Sequence, residues 1–352
     1  MPATLASHPL ARLSLTIAIG IAGGFAASAI SMPLAWMLGP FIFCAIACMF
    51  GLPLKVIPHG REVGQVVVGL SVGMRFTGAV LIATLALLPA MIASTLYIIL
   101  VTFLAAFILI PLARVDRTTA FFATAAAGMA DMAAIAEHRG GNPSAVAVVH
   151  AVRVSLVVLS VPLLVYAFGE HGNIVHEPHT YSDNLLLLAL VLALGYCAAY
   201  VFGRTHFPNP WLIGGVLFGG VLGVTEIALV SIPRLVMIVS QLAIGVSLGA
   251  RFERDLILRL PRVAFGAVVV SALLIFAAAL GAWVLSHWTA LPYSVGFLSI
   301  APAAVTEMAL TAQAMNVDAE IVTAFHVMRI TMVEVSILLV YALFKKMAPE
   351  RS

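Results

Sequence analysis

Ionisable side chains recur at one spacing in two apolar stretches of the chain. In each stretch an acid is followed nineteen residues later by a histidine and, three residues beyond that, by an arginine. The two sets are Asp131, His150 and Arg153, and Glu307, His326 and Arg329. A charge inside a bilayer is costly, so ionisable groups there usually face a pathway and have partners. Because positions i and i+3 of a helix share one face, each set predicts a polar stripe of His and Arg.

These residue types suit proton movement beside a fixed positive charge. Histidine titrates near pH ~6.5, whereas arginine keeps its proton. We hypothesise that the two acids and two histidines surround a midplane cavity and exchange protons as a substrate passes. Arg153 and Arg329 would then hold the acids ionised or bind an anionic group.

Two alternatives stay open for the same residues. The pairs Asp131–Arg153 and Glu307–Arg329 would be buried ion pairs that tie the protein together, or two histidines and two carboxylates would hold a metal ion. The neighbouring arginines argue against a metal. No metal or other cofactor is expected, and the chain is not expected to be an enzyme.

Three more polar residues are assigned to the predicted pathway. Gln65 and Gln241 lie on helices with small-xxx-small glycine spacing, which by itself is explained by close helix packing. Glu334 stands in the last apolar stretch, where the equivalent position of the first half is Val158.

The elements that position these residues must be membrane helices. The chain has 352 residues, of which 62% are apolar and 9% charged, and its mean hydropathy is +1.12. Soluble proteins have roughly 25% charged residues, so this composition excludes soluble enzymes and nucleic-acid binders. The cysteines Cys44, Cys48 and Cys197 fall in apolar runs without metal-ligand spacing.

A crossing helix needs about 20 mostly apolar residues. Ten stretches meet this requirement: 10–30, 32–52, 62–77, 89–113, 143–169, 184–203, 208–231, 233–251, 262–286 and 318–344. Thr118–Gly140 and Leu291–Val317 are less apolar, are interrupted by Gly128 or Pro302, and carry Asp131 and Glu307. Broken segments of this kind occur at membrane depth where protein or a wet cavity surrounds them.

The chain is an internal duplication. A shift of 176 residues aligns Gln65–Phe76 with Gln241–Phe252 and superimposes the two acid, His and Arg sets. The sequence therefore divides into a first membrane repeat at 1–169, a polar linker at 170–183 and a second membrane repeat at 184–352.

The positive-inside rule predicts the direction of the copies. If the broken segments turn back, fourteen of the eighteen Lys and Arg residues fall on the side of the N-terminus and two on the other side. This favours two inverted-topology repeats, each with about five transmembrane helices and one broken or re-entrant segment. We expect an all-α polytopic protein of the bacterial inner membrane with both termini in the cytoplasm.

Paired motifs in the two halves carry a family resemblance. Pro33-x-x-Trp36-x-x-Gly39 recurs at Pro208-x-x-Trp211-x-x-Gly214, beside the duplicated glycine helix and the Asp/Glu-Met and His-x-x-Arg blocks. Together they resemble the AbrB-type duplicated membrane family of Gram-negative bacteria over about 10–345. Names in that family imply a regulator of gene expression or an ammonia monooxygenase. The resemblance carries over no functional residue.

The sequence predicts a secondary transporter or exporter of a small polar or anionic metabolite. No G-x-x-x-x-G-K-[ST] motif is present, so an ion gradient or a partner would supply the energy. The alternative is a membrane-embedded sensor that influences gene expression indirectly. The expected partners are the lipid bilayer and a small-molecule substrate or coupling ion, with no nucleic acid; a homo-oligomer is left open.

Overall fold

A computed structural model describes residues 9–168, 181–205, 207–252 and 254–348. These residues form helices joined by short loops, and the described ranges contain no β-strand, apart from an isolated bridge between Ser182 and Val230. The helices are α1 (Pro9–Ala29), α2 (Ala35–Met49), α3 (Gly60–Gly73), α4 (Gly78–Ala86), α5 (Leu88–Ala113), α6 (Arg117–Thr124), α7 (Met129–His138), α8 (Pro143–Phe168), α9 (Leu185–Gly203), α10 (Pro210–Thr225), α11 (Arg234–Gly249), α12 (Arg254–Arg259), α13 (Pro261–Thr289), α14 (Tyr293–Ile300), α15 (Val305–Ala314) and α16 (Ala319–Met347).

Many of these helices are long and apolar enough to cross a bilayer. Within the described residues seven helical segments meet that test, and the pair α3 and α4, bent by 94°, makes an eighth if counted as one span. Two shorter apolar helices, α2 and α10, accompany them. The expectation of an all-α polytopic membrane protein is confirmed.

Two predicted spans are shorter in the structure than in the sequence pattern. The stretches 32–52 and 208–231 contain helices of 15 and 16 residues, α2 and α10. Each begins after a left-handed residue, Leu34 (φ 51°) or Asn209 (φ 53°), which itself follows a proline. A left-handed residue cannot continue a right-handed helix, so both helices start late.

The order of elements repeats along the chain. For instance, α6 and α14 begin at Arg117 and Tyr293, 176 residues apart, and both have eight residues. The compact units, however, do not coincide with the sequence copies at 1–169 and 184–352. Unit 1 consists of Met1–Ala83, Asn173–Arg254 and Ala309–Asn316, and unit 2 of Thr84–Gly172, Asp255–Met308 and Val317–Ser352. Each unit thus takes helices from both copies. Residues 170–180 of the predicted linker lie outside the described ranges.

Unit 1 is held together by glycines at helix crossings. On α3, a Cβ added at Gly73 would lie 2.5 Å from the carbonyl oxygen of Val216 on α10. On α11, a Cβ at the equivalent Gly249 would lie 2.5 Å from the carbonyl oxygen of Phe41 on α2. The predicted small-xxx-small packing is confirmed, and it pairs a helix of one copy with a helix of the other.

Equivalent helices of the two copies run in opposite directions in both units. In unit 1, Gly60 on α3 lies near Ala243 on α11, and Gly64 lies near Ser240. In unit 2, the Tyr97 hydroxyl on α5 donates to the Ala277 carbonyl on α13 (2.7 Å), while Ala113, sixteen residues later, lies near Gly266. Inverted repeats require these directions, and the inverted arrangement of the complete copies stays a prediction.

Basic residues gather at one end of unit 2. Arg117 Nη1 donates to the carbonyl of Lys345 (3.3 Å), and Ala113 lies beside the start of α13. The residues brought to this end are Arg114, Arg117, Arg139, Arg262, Lys345 and Lys346. Such a cluster is typical of a cytoplasmic face, which supports the predicted orientation of the termini without establishing it.

Candidate functional site

The first broken segment is a hairpin that returns to the level at which it starts. Helix α6 ends at Thr124, and α7 begins at Met129. After α7, the backbone N–H of Asn142 donates to Thr119 Oγ1 at the start of α6 (2.8 Å). The two ends of the segment therefore meet, as the interpretation of a re-entrant hairpin requires.

His150 and Arg153 on α8 bind the end of α6. His150 Nε2 lies 3.0 Å from the carbonyl oxygen of Phe122. Arg153 Nη1 donates to the carbonyls of Thr124 and Ala125, both at 2.9 Å, and Arg153 Nη2 lies 3.1 Å from His150 Nδ1. The last carbonyls of a helix lack partners within the helix and carry partial negative charge, so a buried cation suits this position.

The second hairpin repeats this arrangement, with a longer bond from Arg329 Nη1 to the Ile300 carbonyl (3.5 Å) and one additional bond to Ala303. His326 Nε2 lies 2.9 Å from the Leu298 carbonyl oxygen, and Arg329 Nη2 lies 2.7 Å from His326 Nδ1. Arg329 Nη1 donates to Ala301 O (2.7 Å), and Nη2 donates to Ala303 O (2.7 Å) in the break between α14 and α15. The predicted His and Arg stripe is confirmed in both copies.

The hydrogen bonds assign the protonation state of both histidines. A guanidinium can only donate, so Nδ1 of His150 and of His326 must accept from its arginine. The remaining proton is then on Nε2, which donates to the half-helix carbonyl. A second proton would set two donors against each other. Proton exchange through these imidazoles therefore stays a prediction and would require the His–Arg contact to separate.

Arg153 and Arg329 donate to backbone oxygens, although the sequence also allowed ion pairs with the two acids. Within the described residues, the hydrogen-bond partners of Arg153 are carbonyls and His150, and those of Arg329 are carbonyls and His326. Asp131 is exposed, so it does not form the buried pair with Arg153 that the sequence suggested. The spacing of charged residues in the sequence cannot reveal these contacts, because every residue type carries the same backbone carbonyl.

The two acids occupy equivalent helix positions in different surroundings. Asp131 and Glu307 are each the third residue of their half-helix, where a carboxylate complements the positive end of the dipole. Asp131 folds over Gly128: a Cβ at Gly128 would lie 2.5 Å from Asp131 Oδ2. Glu307, by contrast, is fully buried (0% exposed).

Glu334 lies near the first hairpin. Its neighbours Val333 and Ser336 line a cavity together with Thr124 and Ala125 of that hairpin. This narrow cavity lies beside the first break and has room for about one water molecule.

The structure brings seven of the nine predicted pathway residues into unit 2. Gln65 and Gln241 belong to unit 1. Gln65 Nε2 donates to Asn209 Oδ1 (2.8 Å) and so secures the start of α10, whereas Gln241 is half-buried on α11. A packing role accounts for the Gln65 contact.

Three buried hydroxyls in unit 2 escaped the sequence analysis. Ser294, Ser299 and Thr323 are at most 3% exposed. The sequence did contain a signal, because the equivalents of Ser299 and Thr323 in the first copy are Ala123 and Ala147.

Metal ligands do not cluster in the part of the chain that the structure describes. No group of three or more His, Cys, Asp and Glu side chains is placed to hold a metal ion there. His171, His176 and His179 of the predicted linker lie outside the described residues.

Fold and site together define a multi-pass membrane protein with paired broken helices, each capped by a buried His–Arg pair. The chain belongs to the AbrB family, described as transition state regulatory protein AbrB, which it matches over residues 36–345.

The chain aligns with two relatives over most of the length of each relative. The chain is 27% identical over 343 residues to an uncharacterized protein, YhjN, of Bacillus subtilis strain 168, covering 90% of this chain and 89% of the relative. It is 25% identical over 255 residues to "Putative regulator AbrB" of Escherichia coli K12, covering 71% of each. The Gram-negative origin implied by the resemblance stays a prediction.

Proposed function

We propose that the protein is a secondary transporter or exporter of a small polar or anionic metabolite across the inner membrane. The supporting observation is the pair of discontinuous helices in unit 2, whose carbonyl ends are each bound by a buried arginine. Discontinuous helices at membrane depth are characteristic of transporter binding sites, because their free ends supply polar groups that a continuous helix keeps for itself.

The cavity beside the first break has room for about one water molecule, so a metabolite does not fit there in this arrangement. A transporter passes through such a closed form and opens by moving one element against another. The hairpins are the elements that we expect to move.

Flux through purified protein tests the proposal. Vesicles that contain only this protein are loaded with an isotope-labelled bacterial metabolite extract, and efflux into unlabelled extract is followed by mass spectrometry. We expect at least one compound to leave faster than from protein-free vesicles, and Glu307→Gln, which removes a fully buried carboxylate, to slow its efflux. The matched control is Glu226→Gln, since Glu226 is exposed and lies outside both hairpins.

The second candidate is a membrane sensor, which the name of the Escherichia coli relative favours. The same vesicles separate the two functions. A sensor would leave every compound distributed as in protein-free vesicles, whereas extract compounds would still shift the thermal unfolding of the protein.

A further inference from the structure

The second half-helices of the two hairpins are equivalent in the sequence but have different neighbours in the structure. Helices α7 and α15 both have ten residues and start 176 residues apart, at Met129 and Val305. All of α7 lies in unit 2. In contrast, α15 starts in unit 2, and Ala309–Asn316 at its other end belong to unit 1.

Helix α7 is part of the core of its own hairpin. It packs against α6 and α8, and its residues Met132 and Ala136 are buried in the apolar core that these helices share. The equivalent residues of α15, Met308 and Ala312, are buried as deeply. Among the described residues, however, no equally close packing joins α15 to α14 or α16.

A hydrogen bond holds the end of α15 in unit 1. Gln313, in the last turn of α15, donates through Nε2 to Ser71 Oγ on α3 (3.0 Å). The equivalent of Ser71 on α11 is Ser247, whose buried hydroxyl has no hydrogen-bond partner among the described residues. The equivalent of Gln313 on α7 is Glu137, which is exposed. The docking bond is therefore specific to the second hairpin in this conformation.

The second hairpin also lacks the bond that closes the first. Thr119 Oγ1 accepts from the backbone N–H of Asn142 and so joins the two ends of the first hairpin. Val295 occupies the equivalent position of the second hairpin and has no hydroxyl to accept such a bond. Because one hydrogen bond fewer closes it, the second hairpin is the easier of the two to move.

We infer that the second hairpin is the moving gate of the protein and that α15 has two positions. In the docked position seen here, Gln313 binds Ser71. In the other, undocked position, α15 packs against α14 and α16 as α7 packs against α6 and α8. This inference rests on the proposed transport function, and it assigns Ser71 and Gln313 as positioning residues that hold the docked position.

The movement changes the surroundings of a buried acid. In α7, which is packed into its own hairpin, Asp131 and Ala134 are exposed. The equivalent residues of docked α15, Glu307 and Leu310, are 0% and 1% exposed. Undocked α15 presents Glu307 and Leu310 as α7 presents Asp131 and Ala134. The gate thus carries the Glu307 carboxyl between two environments, as alternating access requires of a coupling group.

Thiol labelling distinguishes the two positions. In a background without the three native cysteines, Leu310→Cys is buried in the docked position and exposed in the undocked one, whereas the equivalent Ala134→Cys is exposed throughout. We expect N-ethylmaleimide to modify Leu310→Cys slowly, and Ser71→Ala or Gln313→Leu to speed that reaction about fivefold, the factor equivalent to one hydrogen bond. The matched control is Ser247→Ala, which removes the equivalent hydroxyl and should leave the rate unchanged.

Crosslinking measures the docked position directly. A short bis-methanethiosulfonate linker should join Ser71→Cys to Gln313→Cys, because these side chains are in contact, and a reducing agent should release it. The control pair is Ser247→Cys with Gln313→Cys. Since α3 and α11 run in opposite directions and Gly64 lies near Ser240, Ser71 and Ser247 are roughly 20 Å apart along the helices, beyond the reach of that linker.

The vesicle experiment then separates the gate from the proposed function. We expect the crosslink between Ser71→Cys and Gln313→Cys to stop efflux and reduction to restore it. Efflux that continues through the crosslinked protein would retain transport and reject the gate, and so would labelling of Leu310→Cys that responds equally, or not at all, to Ser71→Ala and Ser247→Ala. No efflux from any vesicles, with labelling that still responds to Ser71→Ala alone, would reject transport and retain the moving hairpin. The unfolding midpoint of each variant shows whether it folds.

Discussion

The two hairpins of unit 2 present the same backbone to the same pair of side chains and differ in what surrounds them. At α6 and at α14, a histidine and an arginine from the following long helix bind the last carbonyls, with equivalent atoms in equivalent roles. Around that shared cap, the first copy has an exposed acid and alanines, whereas the second has a buried acid and hydroxyls.

This difference separates structural residues from functional ones. Features that both copies keep are those needed to hold a broken helix in an apolar environment, because every exposed carbonyl there needs a partner. Features that one copy keeps are free to serve a ligand or a coupling ion. We therefore expect the cap to stabilise the fold and the asymmetric residues to matter more for the proposed transport.

The largest effect should come from removing the caps. Arg329→Met strips partners from Ala301 and Ala303, whereas Arg153→Met strips them from Thr124 and Ala125. Because buried carbonyls and a histidine lose their donor, we expect each change to lower the free energy of unfolding by roughly 3–5 kcal/mol, measured by titration with a denaturing detergent. Lysine at either position should restore little of this stability, because its ammonium group lacks the planar set of N–H donors that a guanidinium has. A loss confined to one copy would show that the shared cap is not structural.

The acids should differ most in transport. We expect Glu307→Gln to slow efflux from vesicles at least tenfold and Asp131→Asn to slow it by less than threefold. The reason is that the Glu307 carboxyl is fully buried whereas the Asp131 carboxyl is exposed. Glu226→Gln, which removes an exposed carboxylate outside both hairpins, serves as the matched control for the loss of a carboxylate. Equal effects at Glu307 and Asp131 would contradict the asymmetry of the hairpins.

The histidines should make stability depend on pH. Both imidazoles are neutral in this geometry, so acidification below about pH 6.5, where a free imidazole gains a proton, should destabilise the folded protein by about 1–2 kcal/mol for each histidine at pH 5.5. Glutamine can accept and donate as neutral histidine does, but it cannot take up that proton. The unfolding midpoint of the double variant His150→Gln, His326→Gln should therefore change less between pH 7.5 and pH 5.5. An unaltered pH profile in this variant would assign the effect to other groups.

The smallest effect should come from the tie that closes the first hairpin. Thr119 accepts from Asn142, and the equivalent residue in the second copy is Val295. Thr119→Val makes the hairpins alike and should cost about 1 kcal/mol.

Cysteine labelling measures this loosening. In a background lacking Cys44, Cys48 and Cys197, a cysteine at Arg139 should be modified faster when Thr119 is valine. Thr205→Val, which removes an exposed hydroxyl bonded to its own helix (2.7 Å), should leave the rate unchanged. If cysteines at Asp116 and Gly141 were labelled from opposite sides of the membrane, the segment would cross and the hairpin would be wrong.

Much of the fold could be predicted because bilayer physics acts on composition and length. Apolar runs of about 20 residues mark helices wherever they occur, and weaker hydropathy with an interruption at Gly128 or Pro302 identified the two broken segments. The i, i+3 contact between His150 and Arg153 also followed from helix geometry alone.

The site was only partly predictable, because its partners are backbone atoms and distant helices. Arg153 was considered as a partner of Asp131, and its bonds to the carbonyls of α6 are not revealed by any residue type. Gln65 was assigned to the pathway, which stays a prediction, and its bond to Asn209, 144 residues away, could not be predicted. The pairing of α3 with α10 depends on which glycines meet across the two copies.

The sequence by itself determined that this chain spans a membrane, that it is duplicated, and that two polar stripes interrupt its apolar helices, since hydropathy and periodicity are properties of local residues. Only the tertiary structure decided that the copies exchange helices to form two units, that the arginines cap half-helices, and that Glu307 is buried while Asp131 is not. Those outcomes depend on which surfaces pack together, and packing is a property of residues far apart in the chain.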